Sequence, residues 1–237
     1  QYTASMILLC GTLIVFAQLN YMRRQSLGVR TDRILVVKFP GPTEGMKIKM
    51  EAMRKAIRKL PLVSKVTCSG SVPGEEVAMF LSNRRTHDAL KQNRLYEMLS
   101  CDPDYMDAYG LELVAGRGFS EDYGDDVNKL VINETAARTL GYTDYESVIG
   151  EEISVETIEE PMQVIGVVKD YHQQALNRNY TPIMLFHKDK IDWIPQRYIS
   201  IVMKPGDSLE LVSQISEIWT TYFADSSFDY FFLDQFY

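Results

Sequence analysis

Any chemistry in this 237-residue chain would have to come from three histidines, three cysteines and scattered carboxylates. His87, His172 and His187 do not pair with one another at i,i+3 or i,i+4, and no cysteine stands at ligand spacing from them, so no metal site is expected. Cys10 falls in an apolar run. Only Cys68 and Cys101 could therefore meet, and each lies in a strand candidate, where a buried free thiol is the ordinary state. Asp122, Asp125 and Asp126 have the acidity of a calcium loop without its EF-hand spacing. Asn133-Glu134-Thr135 fits a glycosylation sequon, but Asn133 also precedes a helical pattern, where it reads as a cap. The most distinctive stretch is VIGVVKDYH, Val164–His172. A strand that runs into Asp170, Tyr171 and His172 can hold catalytic groups, yet an Asp there more often stabilises the turn through its own backbone. No GxSxG, HExxH, phosphate-binding loop or dinucleotide fingerprint occurs. The expectation is a non-enzyme with no catalytic, cofactor-binding or metal-binding residues and no cofactor.

The elements that would position these residues follow from periodicity. Arg33–Phe39 is a strand of branched residues stopped by Pro40-Gly41-Pro42. Glu44–Leu60 is an amphipathic helix, with Met46, Met50, Met53, Ile57 and Leu60 on one face and its lysines and arginines on the other. Val63–Ser71 returns as a strand, and Ala78–Ser82 and Leu95–Cys101 are weaker candidates. Pro103–Tyr109 is a short helix with Asp102 as its N-cap. Lys129–Ile132 is a strand and Asn133–Leu140 a helix closed by Gly141. Glu151–Glu156 and Met162–Lys169 form a hairpin. Strands at Thr181–Phe186 and Tyr198–Met203, a helix at Ser208–Phe223 capped by Asp207 or Ser208, and a strand at Asp229–Leu233 complete the chain. Strand–helix–strand thus appears at both ends, enough for one sheet covered by two helices.

Charge divides the chain in the same way. The net charge is −7, which argues against a nucleic-acid reader. Residues 1–22 carry no charge, residues 23–95 have a net +10, and residues 119–160 a net −10. An acidic module between two parts of another domain fits this shift. At the start, Tyr2–Leu19 is 18 uncharged residues. As a helix rising about 1.5 Å per residue it comes close to the hydrocarbon thickness, with Tyr2 and Tyr21 at the interfaces and Arg23 and Arg24 beyond. A signal peptide would need a positive region before the apolar run. A buried core helix is the competing reading, supported by Thr3, Ser5, Thr12 and Gln18. Residues 1–28 are taken as a transmembrane helix and stalk.

Seven stretches, in order, carry a family resemblance. They are QLNYMRRQSLGV at Gln18–Val29, SVPG at Ser71–Gly74, DYMDAYGLELVAGRGFS at Asp104–Ser120, LVINETAARTLG at Leu130–Gly141, VIGE at Val148–Glu151, VIGVVKDYH at Val164–His172, and DYFFLDQFY at Asp229–Tyr237. Together they resemble the periplasmic core domain of the MacB/FtsX-like ABC transporter permeases. The stalk and the Phe-Leu-Asp end look most like permeases of Bacteroides-type bacteria.

The resemblance implies an α+β fold. A porter-like subdomain of two strand–helix–strand units, residues 29–98 and 181–237, would hold an inserted Sabre-like subdomain, residues 99–180. It also implies a location at the bacterial inner membrane, with the soluble domain in the periplasm and a further membrane helix after Tyr237. The implied partners are a separate ATP-binding subunit, a second permease copy, and a periplasmic adaptor or lipoprotein, with no nucleic acid. The implied function couples ATP-driven movement of membrane helices to export or periplasmic work. The alternative is a membrane-anchored extracytoplasmic ligand-sensing domain, which would need a pocket with convergent polar groups. A membrane-anchored hydrolase is disfavoured by the absent nucleophile motifs.

Overall fold

The computed structural model describes residues 2–24, 27–41, 45–77, 79–87, 92–124, 126–174, 178–190 and 194–235. Helix α1 (Tyr2–Arg24) leads to strand β1 (Ile34–Lys38), helix α2 (Met46–Ile57) and strands β2 (Val63–Ser69), β3 (Phe80–Arg85) and β4 (Arg94–Cys101). Helix α3 (Tyr105–Tyr109), strands β5 (Leu113–Gly116) and β6 (Lys129–Asn133), and helix α4 (Glu134–Thr139) follow. Strands β7 (Glu152–Val155), β8 (Met162–Val168), β9 (Ile183–His187) and β10 (Tyr198–Met203), helix α5 (Ser208–Tyr222) and strand β11 (Asp229–Phe232) complete the described chain.

The strands form one continuous mixed sheet with two distinct halves. In the first half the order is β11-β1-β10-β2. β1 and β2 both run antiparallel to β10 and so parallel to each other, and β10 and β11 both flank β1. Each strand–helix–strand unit therefore skips one strand, the split arrangement of ferredoxin-like folds. Alternation along the strands sorts their side chains to two faces. Leu35 and Val37 of β1, with Ile199 and Ile201 of β10, pack under α2 and α5 together with Met53, Ile57, Ile215 and Trp219. Burying each such large side chain contributes roughly 1.5–3 kcal/mol. Ile34 and Val36, with Tyr198 and Val202, face the opposite core, which holds α3. Helix α5 starts where Asp207 accepts from the backbone N–H groups of Leu209 and Glu210, and Trp219 stacks on Phe39 at 6.1 Å between ring centres.

In the second half the order is β4-β3-β7-β8-β6-β9, and β9 also pairs with β4 in parallel, from Glu97↔Ile183 to Cys101↔His187. The six strands close into a ring. Its interior takes alternate residues from five of them, Tyr96 and Met98, Leu130 and Ile132, Ile153 and Val155, Met162 and Val164, Met184 and Phe186, with Leu81 of β3 packed against them. The alternate set, including Leu99, Val131 and Leu185, joins the core behind β1. β5 lies along β8, so close that a Cβ on Gly166 would meet the Arg117 carbonyl oxygen at 2.1 Å. Glycine is required there. β3, β4 and β9 are ring strands by their pairing, although the sequence divides the chain at 98/99 and 180/181.

β2 meets β4 through one residue pair, Ser69↔Cys101. Beside this seam lies a charged side chain that the sequence assigned to solvent. Arg54 shares the buried stripe of α2 with Met50 and Ile57, and is 3% exposed. Its Nε is 3.4 Å from Asp102 Oδ2, and its Nη2 donates to Asp104 Oδ2 at 2.8 Å. Asp102 also accepts from the Thr67 hydroxyl and, at 2.9 Å, from the Cys68 N–H. It therefore does not cap α3: the N-cap position is Asp104, whose side chain makes no capping bond either. Burial raises the pKa of the Asp102 carboxyl, against the opposing pull of Arg54. Cys68 and Cys101 are both free and buried.

Helix α1 covers the segment read as a membrane helix, and its described apolar side chains are open to solvent: Met6, Ile7, Leu8 and Leu9 are all more than 60% exposed. Among the described residues no helix is long and apolar enough to cross a membrane.

The seam gives a first prediction. Arg54→Met leaves the Asp102 carboxyl buried without its counter-ion and should cost about 3 kcal/mol in urea unfolding. The double variant Arg54→Met/Asp102→Asn removes both charges, keeps an acceptor for Cys68, and should recover more than half of that loss. A double variant no more stable than the single one would show that the pair is not the source of the cost.

Candidate force-transmitting junction

The described chain between α1 and β1 is fastened at three places. Leu27 accepts a backbone hydrogen bond from His172, 2.9 Å away, just after β8. The Arg30 N–H donates to Tyr109 at the end of α3 at 2.7 Å, and Arg33 accepts from Met203 at the end of β10 at 2.8 Å. Gly28 sits between the first two with φ +73°. A Cβ there would lie 3.0 Å from the Asp170 carbonyl oxygen and 3.1 Å from Tyr171 Cα. Glycine suits both the left-handed φ at position 28 and this close approach. Its missing side chain lets the chain that follows α1 lie directly on the turn after β8.

That turn is held by Asp170. Its Oδ1 accepts from Asn133 Nδ2 and the Thr135 N–H, both at 2.8 Å, and its Oδ2 from the Thr135 hydroxyl and Arg138. Its own N–H donates to Glu134 Oε2 at 2.9 Å. Asn133 is buried at 1% exposure and caps α4 by accepting from the Ala136 N–H at 2.9 Å, while the Ile183 N–H donates to the same oxygen. The cap reading of Asn133 holds, and the carboxylate of the Asp-Tyr-His stretch is committed to α4. His172 lies against Tyr180, with ring centres 4.6 Å apart, and burial lowers its pKa. Gln173 donates to the Val72 carbonyl at 2.8 Å, linking this turn to the SVPG turn.

The other candidate residues lie elsewhere. His87 is exposed, 3.7 Å from Glu152. His187 sits edge-on to Phe119 at the end of β9, and burial lowers its pKa despite Asp189. Asp126 accepts both Arg117 nitrogens at 2.7 Å and the Ser120 N–H at 2.8 Å, Asp122 is bonded to Ser120, and Asp125 lies outside the described residues. Among the described residues no group of three His, Cys, Asp or Glu side chains is placed to hold a metal ion. The sequence brought out Asp170 and His172 but not Arg30, Tyr109 or Arg54, whose roles depend on contacts distant in the chain.

At the far end, β11 pairs with β1 in the register Leu35↔Phe232. The residues just before β1 and just after β11 therefore lie side by side.

The model of the MacB-like periplasmic core domain matches residues 4–217. The chain belongs to this family. It is the periplasmic domain of a MacB-like ABC transporter permease. Solved structures share the fold. The periplasmic region of MacB from Actinobacillus actinomycetemcomitans is 16% identical, with a TM-score of 0.59, and the match covers 88% of this chain and 92% of that one. A domain of a putative permease protein from Porphyromonas gingivalis is 21% identical, with a TM-score of 0.58 over 84% and 89%. The extracellular domain of the noncanonic ABC-type transporter YknZ from Gram-positive bacteria is 16% identical, with a TM-score of 0.57 over 83% and 97%. Comparison with the curated proteins gives no match.

Two substitutions test the junction. Gly28→Ala forces a side chain into left-handed backbone against Tyr171 and should cost about 2 kcal/mol. The test is denaturant unfolding, and a loss under 0.5 kcal/mol on the order-of-magnitude scale of neutral surface changes would refute the contact. Asp170→Ala strands buried donors of Asn133 and Thr135 and should cost about 3 kcal/mol. Stability equal to the parent chain would remove Asp170 from the network.

Proposed function

We propose that this periplasmic domain couples ATP-driven movement of membrane helices to export or other work outside the inner membrane, and that it does so mechanically, without a catalytic site. The observation that carries the proposal is the junction. The chain that follows α1 is bonded at once to the ring (His172), to α3 (Tyr109) and to the first half-sheet (Met203), and the register Leu35↔Phe232 brings the end of the domain to the same place. Exposed Met6, Ile7, Leu8 and Leu9 support α1 as the membrane anchor. A separate ATP-binding subunit would supply the motion, with a second permease copy and a periplasmic adaptor or lipoprotein as further partners. The committed Asp170 carboxylate supports a non-enzymatic role.

The domain divides, on this reading, into a porter-like subdomain on β11-β1-β10-β2 with α2 and α5, and an inserted Sabre-like subdomain built on the ring. The boundaries then move from 98/99 and 180/181 to the end of β2 and the start of β10, because β3, β4 and β9 pair inside the ring. A packed segment transmits displacement with little compression. A glycine-serine insertion between Gly28 and Val29 in the full permease should therefore leave ATPase activity in place and sharply reduce export, or whatever output the complex has. Unchanged output would reduce the junction to a tether and end the mechanical reading.

A further inference from the structure

Glu97 of β4 is a buried carboxyl without a counter-ion. It is 1% exposed and points outward from the ring, since Tyr96 and Met98 on either side of it point inward. Pairing places it between Phe80 of β3 and Ile183 of β9. Its Oε1 accepts from Gln174 Nε2 at 2.9 Å, and its Oε2 makes no hydrogen bond among the described residues. Among those residues no cation acts on it. A carboxylate here would hold a full charge out of water for one bond from a neutral amide, which is costly, whereas a neutral carboxyl carries no such charge.

The titratable groups on the surrounding elements do not relieve this. Glu76, exposed in the connection from β2 to β3, bears on Glu97 by repulsion, and Glu75 beside it acts on Tyr198. On β3, Arg84 and Arg85 lie opposite β7, and on β9 His187 lies beside Cys101. On β4 itself, Arg94 donates to the Thr139 carbonyl. After β8, Asp170 is committed to α4, His172 lies against Tyr180, and Arg178 is exposed. Burial therefore raises the Glu97 pKa, with Thr181 and Gln174 opposing and Glu76 adding to the rise.

Three consecutive residues fasten the turn after β8. The His172 N–H donates to Leu27, Gln173 Nε2 donates to the Val72 carbonyl and, at 3.0 Å, to the Glu75 carbonyl, and Gln174 Nε2 donates to Glu97. We propose that Glu97 is a proton-operated latch on this turn. As a neutral carboxyl it holds the turn against the ring; once its proton is lost to solvent, the carboxylate moves toward water and frees the turn. The latch does not depend on the mechanical reading, since opening is measured on the chain alone. Its contribution to the closed turn is complete below the ordinary glutamate pKa of about 4.3 and is lost as the pH rises through the raised value. His172 works in the opposite sense, because burial lowers its pKa and its neutral form is lost only on the acid side.

The test is amide hydrogen exchange of the whole 237-residue chain between about pH 5 and pH 8. Rates are read as protection factors, so that the base catalysis of exchange itself cancels. The reporters are the N–H groups of His172, bonded to Leu27, of Gly74, bonded to Gln173, and of Glu97, bonded to Pro182. Their protection should fall about fivefold or more across this range, with that of β1 unchanged. Glu97→Gln keeps an acceptor oxygen for Gln174 and cannot ionise, so its protection should stay level with pH. Glu76→Lys, at an exposed position, provides a second variant that folds whatever Glu97→Gln does. It replaces repulsion of the carboxylate by attraction and should move the fall to lower pH. Protection independent of pH in the parent chain, the same fall in Glu97→Gln, or a fall unmoved by Glu76→Lys would each overturn the latch.

Discussion

The structure depends on the pairing of β1 with two strands from the opposite end of the chain. β1 lies between β10 and β11, so four of its five residues find both backbone partners at least 160 positions away. Closing so long a loop costs entropy that no local contact returns. The return comes from side chains: Leu35 and Val37 on one face and Ile34 and Val36 on the other are all at 1% exposure or less. Because both faces of β1 are buried, a one-residue slip would still bury apolar side chains. What specifies the register is the shape of the two cores, with Trp219 and Phe39 stacked on one side and Tyr105 and Tyr109 packed on the other. The ring, α3 and the segment after α1 can take their places only once this pairing exists.

The ring solves a different problem. Six short strands would present exposed edges, and closure of β9 onto β4 removes them. Parallel pairing of β9 with β4 and of β6 with β8 sends alternate residues into a dry interior of Met, Tyr, Phe and aliphatic side chains. Asn83 is buried there too, and its amide nitrogen contacts the sulfurs of Met98 at 3.4 Å and Met184 at 3.3 Å. Sulfur is a weak acceptor, so this amide contributes more to orientation than to stability. Outward-facing Leu99, Val131 and Leu185 bind the ring to the core behind β1, which is why the two half-sheets pack together despite a single shared backbone pair.

Much of this was legible in the sequence. The helical stripe of α2, the branched run of β1, the Asn133 and Asp207 caps and the β7–β8 hairpin each follow from a local period or cap, and the chain realises them within three residues. Partner choice was not legible. β3 is half-polar and reads as a weak strand, and its place in the ring depends on β4 and β7, which it meets only in space. β5 was hidden among glycines, of which Gly116 is there for close approach to β8 at the Ile165 carbonyl. Arg54 looked like a solvated cation because composition cannot show that Asp102, 48 residues on, would be buried beside it. Asp102 looked like a cap because Asp before a helical pattern usually is one. The need for glycine at position 28 comes from its approach to Tyr171, which belongs to the tertiary structure.

The charges at the seam suit the mechanical role proposed for the domain. The segment after α1 is bonded to both half-sheets, so on that proposal a displacement at Leu27 would reach the ring through His172 and the first half through Met203. Backbone pairing between the halves is a single residue pair, Ser69–Cys101. Packing contacts lose a quarter to a half of their attraction when a gap opens by only about 0.5–1 Å. The attraction between Arg54 and Asp102 decays only as the inverse of distance and is weakly screened at this depth. Asp104, shared between Arg54 and Arg58, adds a second anion to the same cluster. A seam held by charge keeps most of its cohesion through a small shear, whereas one held by close packing would either stay rigid or come apart. The buried pair therefore fits a joint that flexes under load and returns, and its desolvation cost is reasonable at this position rather than in the interior of either half.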